Sequence, residues 1–425
     1  MLDIKLIREN PEGVKKGIAR KGADTGLVDK VLDADKKRRS IIQEVESLKA
    51  KINTVSSRVA AMKKEGKDAS AVIAEMKTVS DRIKSLDADL AASEAEMNAP
   101  AMLLPNIPDA SVPDGKDSSG NREILQWGRK PEFGFTPKTH WEIAEHLGIL
   151  DNERAAKVTG ARFVFYRGMG ALLERALINF MLDIQTRENG YEEIMPPILV
   201  NRDSMTGTGQ LPKFEDDSFR LSDPDYFLIP TAEVPVTNLH KDEILKEQSL
   251  PLCYAAYTPC FRKEAGAHGK DMKGIVRMHQ FNKVELVKFT HPDKSYEELE
   301  KLLKNAESIL QKLGLHYRVM LLCSGDMGFA SAKTYDIEVW HAGAGRYWET
   351  SSCSNFTDFQ ARRARIRFKD RENKVRFVHT LNGSGLATSR LLPAILEANQ
   401  TPDMEVIVPE ALRPYMAGVD RISKK

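Results

Sequence analysis

No Phe, Tyr or Trp precedes Trp127, although the chain contains 16 Phe, 10 Tyr and 4 Trp. Large rings supply much of the buried area of a globular core. A segment of this length without them is therefore not an ordinary globular domain. The absence of aromatic residues predicts that the N-terminal part is stabilised by something other than an aromatic core.

Other absences exclude whole classes of protein. The four cysteines form no C-x-x-C pair and no zinc-type spacing, which favours free thiols in a reducing cytosol and a cytoplasmic protein. No apolar run reaches the roughly 20 residues that a membrane helix needs. The N-terminus has no apolar signal-peptide region, so we expect no membrane association. Neither G-x-G-x-x-G after a strand nor G-x-x-x-x-G-K-[ST] occurs, which argues against Rossmann and P-loop nucleotide sites.

Apolar residues in the aromatic-free segment are spaced alternately three and four residues apart. This is the heptad pattern of a coiled coil. The pattern runs twice, with a Gly-containing turn near Gly66 between the runs, which predicts an antiparallel helical hairpin with a first helix of about 27–64. The two seams are Val45, Leu48, Ile52, Val55, Val59 and Met62, then Val72, Met76, Val79, Ile83, Leu86 and Leu90.

Charge is distributed unevenly over this hairpin, although the net charge of the chain is only +2. Lys and Arg dominate between Lys36 and Lys67, whereas Asp and Glu dominate between Asp68 and Asn98. A solvated coiled coil would carry both signs on each helix. One basic and one acidic helix instead indicate a nucleic acid along the basic side.

Prolines interrupt the helical periodicity from Pro100 to Pro113, and we interpret this stretch as a linker. It divides the chain into an N-terminal domain, 1–110, and a C-terminal domain, 111–425. The second domain contains strand-like runs such as Tyr226–Ile229 and Arg318–Leu322 interleaved with helices. The sequence therefore predicts an α+β protein with an N-terminal helical arm.

The C-terminal domain contains three distinctive sequence blocks. The first block has an apolar helical stripe, Leu172–Ile184, and then a strand that ends at Pro196. Taken alone, this pattern is typical of a buried hydrophobic core. The third, Leu381–Arg390, combines glycines with an arginine on the first turn of a helix, where a guanidinium can reach a phosphate. Alone, Arg390 could equally be a surface residue.

The second block is a predicted β-hairpin, Cys260–Glu264 and Arg277–Glu285, around a polar loop. Strand alternation puts five side chains on one face of it. A face with this composition has no core to form, so we predict a ligand-binding floor. The five are Arg262, Glu264, Phe281, Lys283 and Glu285.

In order, the three blocks resemble the three motifs of class II aminoacyl-tRNA synthetases, and further stretches narrow the resemblance to the seryl-tRNA synthetases. The resemblance covers nearly the whole chain, arm included. The stretches similar to seryl signatures are Thr206–Phe214, Pro230–Glu233, Arg262–Gly266, Tyr335–Trp340, Ser351–Asn355 and His379–Gly385.

This resemblance implies a fold and an activity. The fold would be a coiled-coil arm plus a class II catalytic domain on a six- or seven-stranded antiparallel sheet flanked by helices, dimerised through the first block. The enzyme, a ligase, would use ATP and Mg²⁺ to activate L-serine as seryl-adenylate. It would then transfer serine to the 3′ end of tRNA(Ser), with tRNA(Sec) as a second candidate acceptor.

The resemblance also implies residue roles. Arg262 would hold the ATP α-phosphate and the serine carboxylate, and Arg390 would clamp the γ-phosphate. Glu264 would contact adenine and Phe281 would stack on it, while Glu349 would be catalytic together with the two arginines. The metal ligands would be Glu349 and Ser352. Serine would be bound by Thr231, Ala232, Glu233, Arg262, Glu285, Asn382 and Ser384, with its hydroxyl and amino contacts unassigned. ATP would be bound by Arg262, Lys263, Glu264, Phe281, Glu349, Thr350, Ser351, Ser352 and Arg390.

Those roles suit the chemistry, because a carboxylate must attack a phosphorus atom while both reactants are anions, and cations cancel the repulsion. Two alternatives stay open. An enzyme that loads a carrier protein would have no use for a basic arm, and a non-catalytic relative should have lost Arg262, Glu349 or Arg390. The sequence departs from the family pattern at Thr350, where an aliphatic residue is common, and at Ser389, where Gly is common. Lys270 and Lys273 stand where arginines are frequent.

Overall fold

The computed structural model describes residues 1–264 and 274–424. Ala265, Gly266, Lys270 and Lys273, named above, lie outside the described residues. The chain forms two compact units, Leu2–Pro105 and Asn106–Lys425, the second of which also includes Met1.

The N-terminal unit is helical. Its elements are α1 (Ile4–Glu9), α2 (Pro11–Ala19), α3 (Gly26–Lys64) and α4 (Ser70–Leu103). The turn between α3 and α4 includes Gly66 at φ +70°, a conformation that glycine adopts without strain. The helices α3 and α4 form the predicted antiparallel hairpin, which we call the arm.

The predicted heptad seam is the contact surface of the arm. Val45, Val79, Ile83 and Leu86 are buried between the helices, and their seam neighbours pack against them. At the base of the arm, α1 and α2 pack against the start of α3 and bury further apolar residues. The heptad pattern did not predict this packing. The apolar residues buried there are Ile7, Val14, Ile18, Val28 and Val31.

Ion pairs between α3 and α4 neutralise part of the basic helix. The distances from cationic nitrogen to carboxylate oxygen are 3.1 Å for Lys37–Glu96, 3.0 Å for Arg38–Glu94 and 2.7 Å for Lys51–Glu75. Acidic residues of α4 thus neutralise part of the positive charge of α3 within the arm. Among the described residues, several cations of α3 have no carboxylate oxygen within 4.0 Å; they are Lys30, Lys36, Lys49, Arg58, Lys63 and Lys64.

The predicted linker is wrong in two respects. First, Pro100 lies inside α4, which continues to Leu103; proline removes one N–H donor but permits the last turn to continue. Second, the following residues belong to the C-terminal unit. Asn106 is buried and its side-chain amide donates to the carbonyls of Ala330 (2.9 Å) and Phe356 (2.7 Å), so the chain is anchored there.

The C-terminal unit mixes helices and strands. Its helices are α5 (His140–Leu147), α6 (Asn152–Thr159), α7 (Met169–Asp183), α8 (Arg202–Thr208), α9 (Glu233–Asn238), α10 (Ser295–Lys312), α11 (Phe359–Ala364) and α12 (Thr388–Ala398). Its strands are β1 (Arg122–Trp127), β2 (Leu150–Asp151), β3 (Phe165–Tyr166), β4 (Glu192–Glu193), β5 (Leu199–Asn201), β6 (Tyr226–Leu228), β7 (Ile244–Lys246), β8 (Leu252–Phe261), β9 (Gln280–Thr290), β10 (Tyr317–Leu321), β11 (Lys333–His341), β12 (Arg346–Asn355), β13 (Arg367–Lys369), β14 (Val375–Phe377), β15 (His379–Ala387), β16 (Val406–Ile407) and β17 (Arg421–Ile422). No helix of the described chain is both long enough and apolar enough to cross a membrane.

The main sheet has the strand order β1-β10-β11-β12-β15-β9-β8-β4. All neighbours are antiparallel except β4, which pairs with β8 in parallel. The sheet thus has eight strands where six or seven were expected, and one of its edges is the two-residue strand β4. The α+β fold with an antiparallel sheet is confirmed.

Helices α7, α10 and α12 pack with the sheet into one buried apolar cluster. Leu173, Leu177 and Phe180 of the stripe in the first block are part of it. The stripe is therefore core of this chain. Close packing requires glycine at residue 383, since a Cβ there would lie 3.2 Å from Cγ of Leu302 and 2.8 Å from Sγ of Cys353.

We predict that Leu86→Ala destabilises the arm by about 2–4 kcal/mol, because it removes a buried side chain from a small seam. Leu86 is 2% exposed. The loss should appear as an earlier transition in thermal unfolding followed by circular dichroism at 222 nm. Ile73→Ala is the matched control, since Ile73 is 47% exposed on the same hairpin. Equal shifts for both variants would contradict the seam assignment.

Candidate active site

Two cavities adjoin on the sheet face opposite α10. The larger has a volume of about 370 Å³ and the smaller about 70 Å³. Arg262, Lys283, Glu349 and Ser384 line both. These four side chains therefore form the boundary, called the junction below, between the two cavities.

Strand alternation on β9 supplies the floor. Phe281, Lys283 and Glu285 line the cavities, whereas Val284 and Leu286 are buried in the core behind them. Arg262 follows the end of β8, and its backbone N–H donates to the carbonyl of His279 (3.0 Å). The five residues of the predicted ligand-binding floor all line the cavities, and their binding of a ligand stays a prediction.

A β-bulge in β12 explains how residues 349 and 352 share a face. The register of β11 and β12 shifts so that Ile337 pairs with Ser351 while Glu338 pairs with Glu349. The extra residue, Thr350, reverses the alternation, as a bulge does. Glu349 and Ser352 consequently both line the larger cavity.

A hydrogen-bonded group of buried polar residues forms the floor of the larger cavity. Thr231 Oγ1 donates to Glu285 (3.2 Å) and accepts from Lys283 Nζ (2.9 Å). Lys283 also forms an ion pair with Glu285. On the other side, the amide of Gln360 donates to Glu233 (2.6 Å) and its oxygen accepts from Thr380 Oγ1 (2.7 Å).

Glu233 has an altered acidity. It begins α9 and is buried, and its backbone N–H donates to Thr231 Oγ1 (3.1 Å). Burial, and next the charge of Glu285, raise the pKa of Glu233 to about 7. Near neutral pH, the protonated and ionised forms of Glu233 are therefore both populated. Binding of a cation beside Glu233 would favour the ionised form.

Backbone carbonyls hold the two arginines. Arg390 Nε donates to Val276 (2.8 Å) and Nη1 to Glu349 (2.9 Å). Arg262 Nε donates to Pro230 (3.3 Å), and its guanidinium lies 5.4 Å from the ring centre of Phe281. Burial lowers the pKa of Arg390 below its usual value. These bonds hold both guanidinium groups at the smaller cavity, which both residues line.

Most predicted site residues line the cavities, but three do not. Ala232 is buried in an apolar cluster, Lys263 is exposed, and Ser351 is buried with its hydroxyl donating to the carbonyl of Ser384 (2.7 Å). The residues that line one or both cavities are Thr231, Glu233, Arg262, Glu264, Phe281, Glu285, Glu349, Thr350, Ser352, Asn382, Ser384 and Arg390.

The roles of two residues at the larger cavity, Gln360 and Lys283, were not predicted from the sequence. Gln360 lies on α11, where no pattern marks it as facing Glu233. Lys283 was placed on the floor by alternation but was given no role. Alternation was a usable signal for Lys283, whereas only the tertiary fold could have indicated Gln360.

Excess acceptor oxygens surround the bulge. Asp336 pairs across the strands with Ser352, and its Oδ1 is buried without a hydrogen-bond partner among the described residues. Burial, and next the charge of Glu349, raise the pKa of Asp336 well above its usual value. Oxygen-rich surroundings of this kind suit Mg²⁺, so the residues fit the predicted metal.

A buried trio, His140, His341 and Glu397, also brings possible metal ligands within 4.8 Å. However, Glu397 Oε1 accepts the backbone N–H (2.9 Å) and Nδ1 (2.8 Å) of His140. Its Oε2 accepts the N–H groups of Gly343 (2.9 Å) and Ala344 (3.1 Å). Although burial alone would raise it, these bonds to His140 hold the pKa of Glu397 below its usual range. We assign the trio a structural role between β11 and α12.

The class of this protein follows from its match to a family profile. The profile described as "tRNA synthetase class II core domain (G, H, P, S and T)" matches residues 213–399. This range contains both cavities' principal residues and the antiparallel strands that carry them. The fold and the match together identify a class II aminoacyl-tRNA synthetase.

Further matches specify the family. The profile "Seryl-tRNA synthetase N-terminal domain" matches residues 1–108. The serine–tRNA ligase of Carboxydothermus hydrogenoformans is 58% identical, with 100% of both chains covered, and that of Geobacter sulfurreducens is 58% identical, with 99% of this chain and 100% of the relative covered. The crystal structure of seryl-tRNA synthetase from Pyrococcus horikoshii complexed with ATP has a TM-score of 0.93 at 40% identity, with 100% of both chains covered. The chain belongs to the seryl-tRNA synthetase family.

We predict that Glu233→Gln stabilises the protein at pH 8 but hardly at pH 5. Because the folded pKa is raised, stability is present below the ordinary value of 4.5 and is lost as pH rises through about 7. The variant removes this loss of folding free energy, which amounts to about 3 kcal/mol. Urea unfolding at both pH values measures it.

Glu193→Gln is the control, because Glu193 is exposed and should give equal stability differences at the two pH values. A gap between Glu233→Gln and wild type that is no larger at pH 8 than at pH 5 would contradict the raised pKa.

Proposed function

We propose that the larger cavity binds serine and the smaller one binds part of ATP, so that this ligase forms seryl-adenylate at the junction and then transfers serine to tRNA(Ser). The observation that carries this proposal is that Arg262 lines both cavities. A guanidinium in that position contacts the carboxylate of one reactant and the α-phosphate of the other.

The larger cavity suits a small amino acid with a hydroxyl group. Its polar groups include two buried carboxylates, Glu233 and Glu285, and the hydroxyls of Thr231 and Ser384. Acids attract the ammonium group of the substrate, and hydroxyls can pair with a serine hydroxyl. Asn382 lines the same wall, while Ala232 would contribute through its backbone.

The smaller cavity suits the nucleotide. Phe281 offers a ring face for adenine, and Glu264 can accept from the adenine amino group; Arg390 would clamp the γ-phosphate. Thr350 lines this cavity, and Lys263 and Ser351 would act through their backbones. Glu349 and Ser352 would hold Mg²⁺, which neutralises phosphate charge when bound.

The residues act by orientation and charge. Arg262 aligns the serine carboxylate with the α-phosphorus, and Arg390 holds the leaving pyrophosphate. A carboxylate oxygen bonds to the phosphorus as the bond to pyrophosphate breaks. The terminal ribose hydroxyl of tRNA then attacks the carbonyl carbon, and AMP leaves.

We predict that Arg262→Ala lowers the rate of serine-dependent ATP–pyrophosphate exchange by about 300-fold or more, because it removes a charged donor from the transition state. Arg421→Ala is the control, because Arg421 is about half exposed and pairs with Glu405 away from both cavities. Unchanged circular dichroism would confirm an intact fold. Exchange near the wild-type rate would contradict the assignment.

We further propose that residues 1–110 bind tRNA through the arm while residues 111–425 carry out the chemistry. The supporting observation is the set of cations on α3 that have no carboxylate oxygen within 4.0 Å in the described chain, among them Lys49, Arg58 and Lys63. Such cations can bind phosphates without first losing a partner. Their spread along α3 suits an extended RNA backbone.

We predict that Lys49→Ala, Arg58→Ala and Lys63→Ala together weaken tRNA binding and reduce the log–log salt slope by about 2–3. The matched control removes the paired cations Lys37, Arg38 and Lys51, which changes net charge equally. It should have a smaller effect, because those cations already hold carboxylates. Filter binding over a salt series measures both.

Serine-dependent exchange should stay unchanged in both triple variants, because the arm supplies no cavity residue. Equal losses of tRNA affinity in the two triples would show that net charge matters and pairing does not.

A homodimer is also proposed, from the family resemblance. The stripe on α7 is buried within the chain, so the partner surface would be the rest of the first block, residues 192–197. Met195 there is 88% exposed. The four cysteines are free, in keeping with a reducing compartment, and we propose a cytoplasmic enzyme.

We predict that sedimentation velocity at micromolar concentration gives twice the chain mass of 47.7 kDa. Met195→Asp should shift the equilibrium toward monomer, because it puts a charge into an apolar contact. Ile73→Asp on the arm is the control, with an exposed apolar residue replaced outside the first block. A wild-type monomer would contradict the proposal.

A further inference from the structure

Lys283 occupies a position that the proposed function gives to a substrate. Its side chain is 7% exposed, its Nζ donates to Thr231 Oγ1 (2.9 Å), and it forms an ion pair with Glu285. Both partners belong to the proposed serine pocket. A primary ammonium group of the protein thus sits where the acceptors for the ammonium group of serine lie.

The two ammonium groups compete for the same acceptors. At hydrogen-bond distance from Thr231 and Glu285, they would also lie within a few ångströms of each other and repel. Lys283 and Thr231 both contact Oε2 of Glu285, so the ammonium group of serine can take that oxygen only if Lys283 moves. The flexible four-carbon stem of lysine permits this movement.

Within the junction, the space beside Arg262 and Glu349 is the available destination for the ammonium group of Lys283. Lys283 lines the smaller cavity as well as the larger one. Backbone carbonyls fix Arg262 and Arg390. By contrast, the described polar contacts of Lys283 are all to groups of the serine pocket.

We propose that Lys283 is a catalytic residue of adenylate formation: serine displaces its ammonium group from Glu285 and Thr231 toward Arg262 and Glu349 at the junction, where it contacts the reacting carboxylate and α-phosphate. This inference rests on the proposed function, because it requires serine and ATP in the two cavities. Binding of the first substrate thereby delivers a cation to the site of reaction.

At the junction the charge requirement is largest. The serine carboxylate oxygen forms a bond to the α-phosphorus while the bond to the bridging oxygen of pyrophosphate breaks, and pyrophosphate leaves with that electron pair. Negative charge accumulates on the α-phosphate oxygens during this exchange. A cation that arrives with serine stabilises this state but contributes little to the binding of serine itself.

The test separates binding from chemistry. In Lys283→Met, serine binding measured by equilibrium dialysis without ATP should stay within about threefold of wild type or become tighter, because the competing ammonium group is gone. The kcat of serine-dependent ATP–pyrophosphate exchange should fall about 100-fold or more, as for loss of a charged group at a transition state. Lys283→Gln should behave alike, and it carries the test if the Met variant does not fold.

Lys288→Met is the matched control. Lys288 lies on the same strand, is 4% exposed and pairs with Glu298 (2.9 Å), a carboxylate that keeps Lys301 as a partner (2.8 Å). It lies outside both cavities, so its kcat and serine affinity should be unchanged.

Two results would overturn the inference while leaving the proposed function intact: a kcat within threefold of wild type in the Lys283 variants, or serine binding weakened tenfold or more. The second would mean that Lys283 holds serine from its present position. Absence of serine-dependent exchange in the wild-type protein would refute the proposed function itself.

Discussion

Two carboxylates, those of Glu233 and Glu285, lie buried in one cavity, and their mutual repulsion is the constraint around which the site is organised. Like charges at close range in a low-dielectric site must be neutralised or protonated. Gln360 on α11 holds Glu233, and Lys283 on β9 neutralises Glu285. Thr380 on β15 in turn fixes Gln360. Elements far apart in sequence must therefore meet at the floor of the cavity, and the fold that allows this is the class II sheet.

Local periodicity allowed a large part of this arrangement to be predicted. Alternation along one strand was sufficient to put Phe281, Lys283 and Glu285 on a common face, because a regular strand has a fixed period of two. The heptad pattern likewise predicted the seam of the arm, where Val79 and Leu86 are buried. Both patterns depend only on neighbours in sequence, so one chain is enough to read them.

Features that depend on distant contacts escaped prediction. The bulge at Thr350 reverses the alternation of β12, and a constant period would have turned Glu349 toward the core. Gln360 acquires its role only because α11 approaches α9. Pro100 was taken as a helix end, yet packing of α4 continues past it. The edge strand β4 is too short for any periodic signal, since it has two residues.

If the arm binds tRNA as proposed, its internal ion pairs have a consequence for turnover. A phosphate can reach Lys37, Arg38 or Lys51 only by taking the place of a carboxylate, and such an exchange gains less than a new contact. Differences in affinity among related complexes lie mostly in the dissociation rate. An arm with all its cations free would hold RNA for longer and would slow departure of the finished product. Under the proposed function, the acidic helix therefore shortens the time that RNA stays on the arm, so that a loaded acceptor leaves before the next one binds.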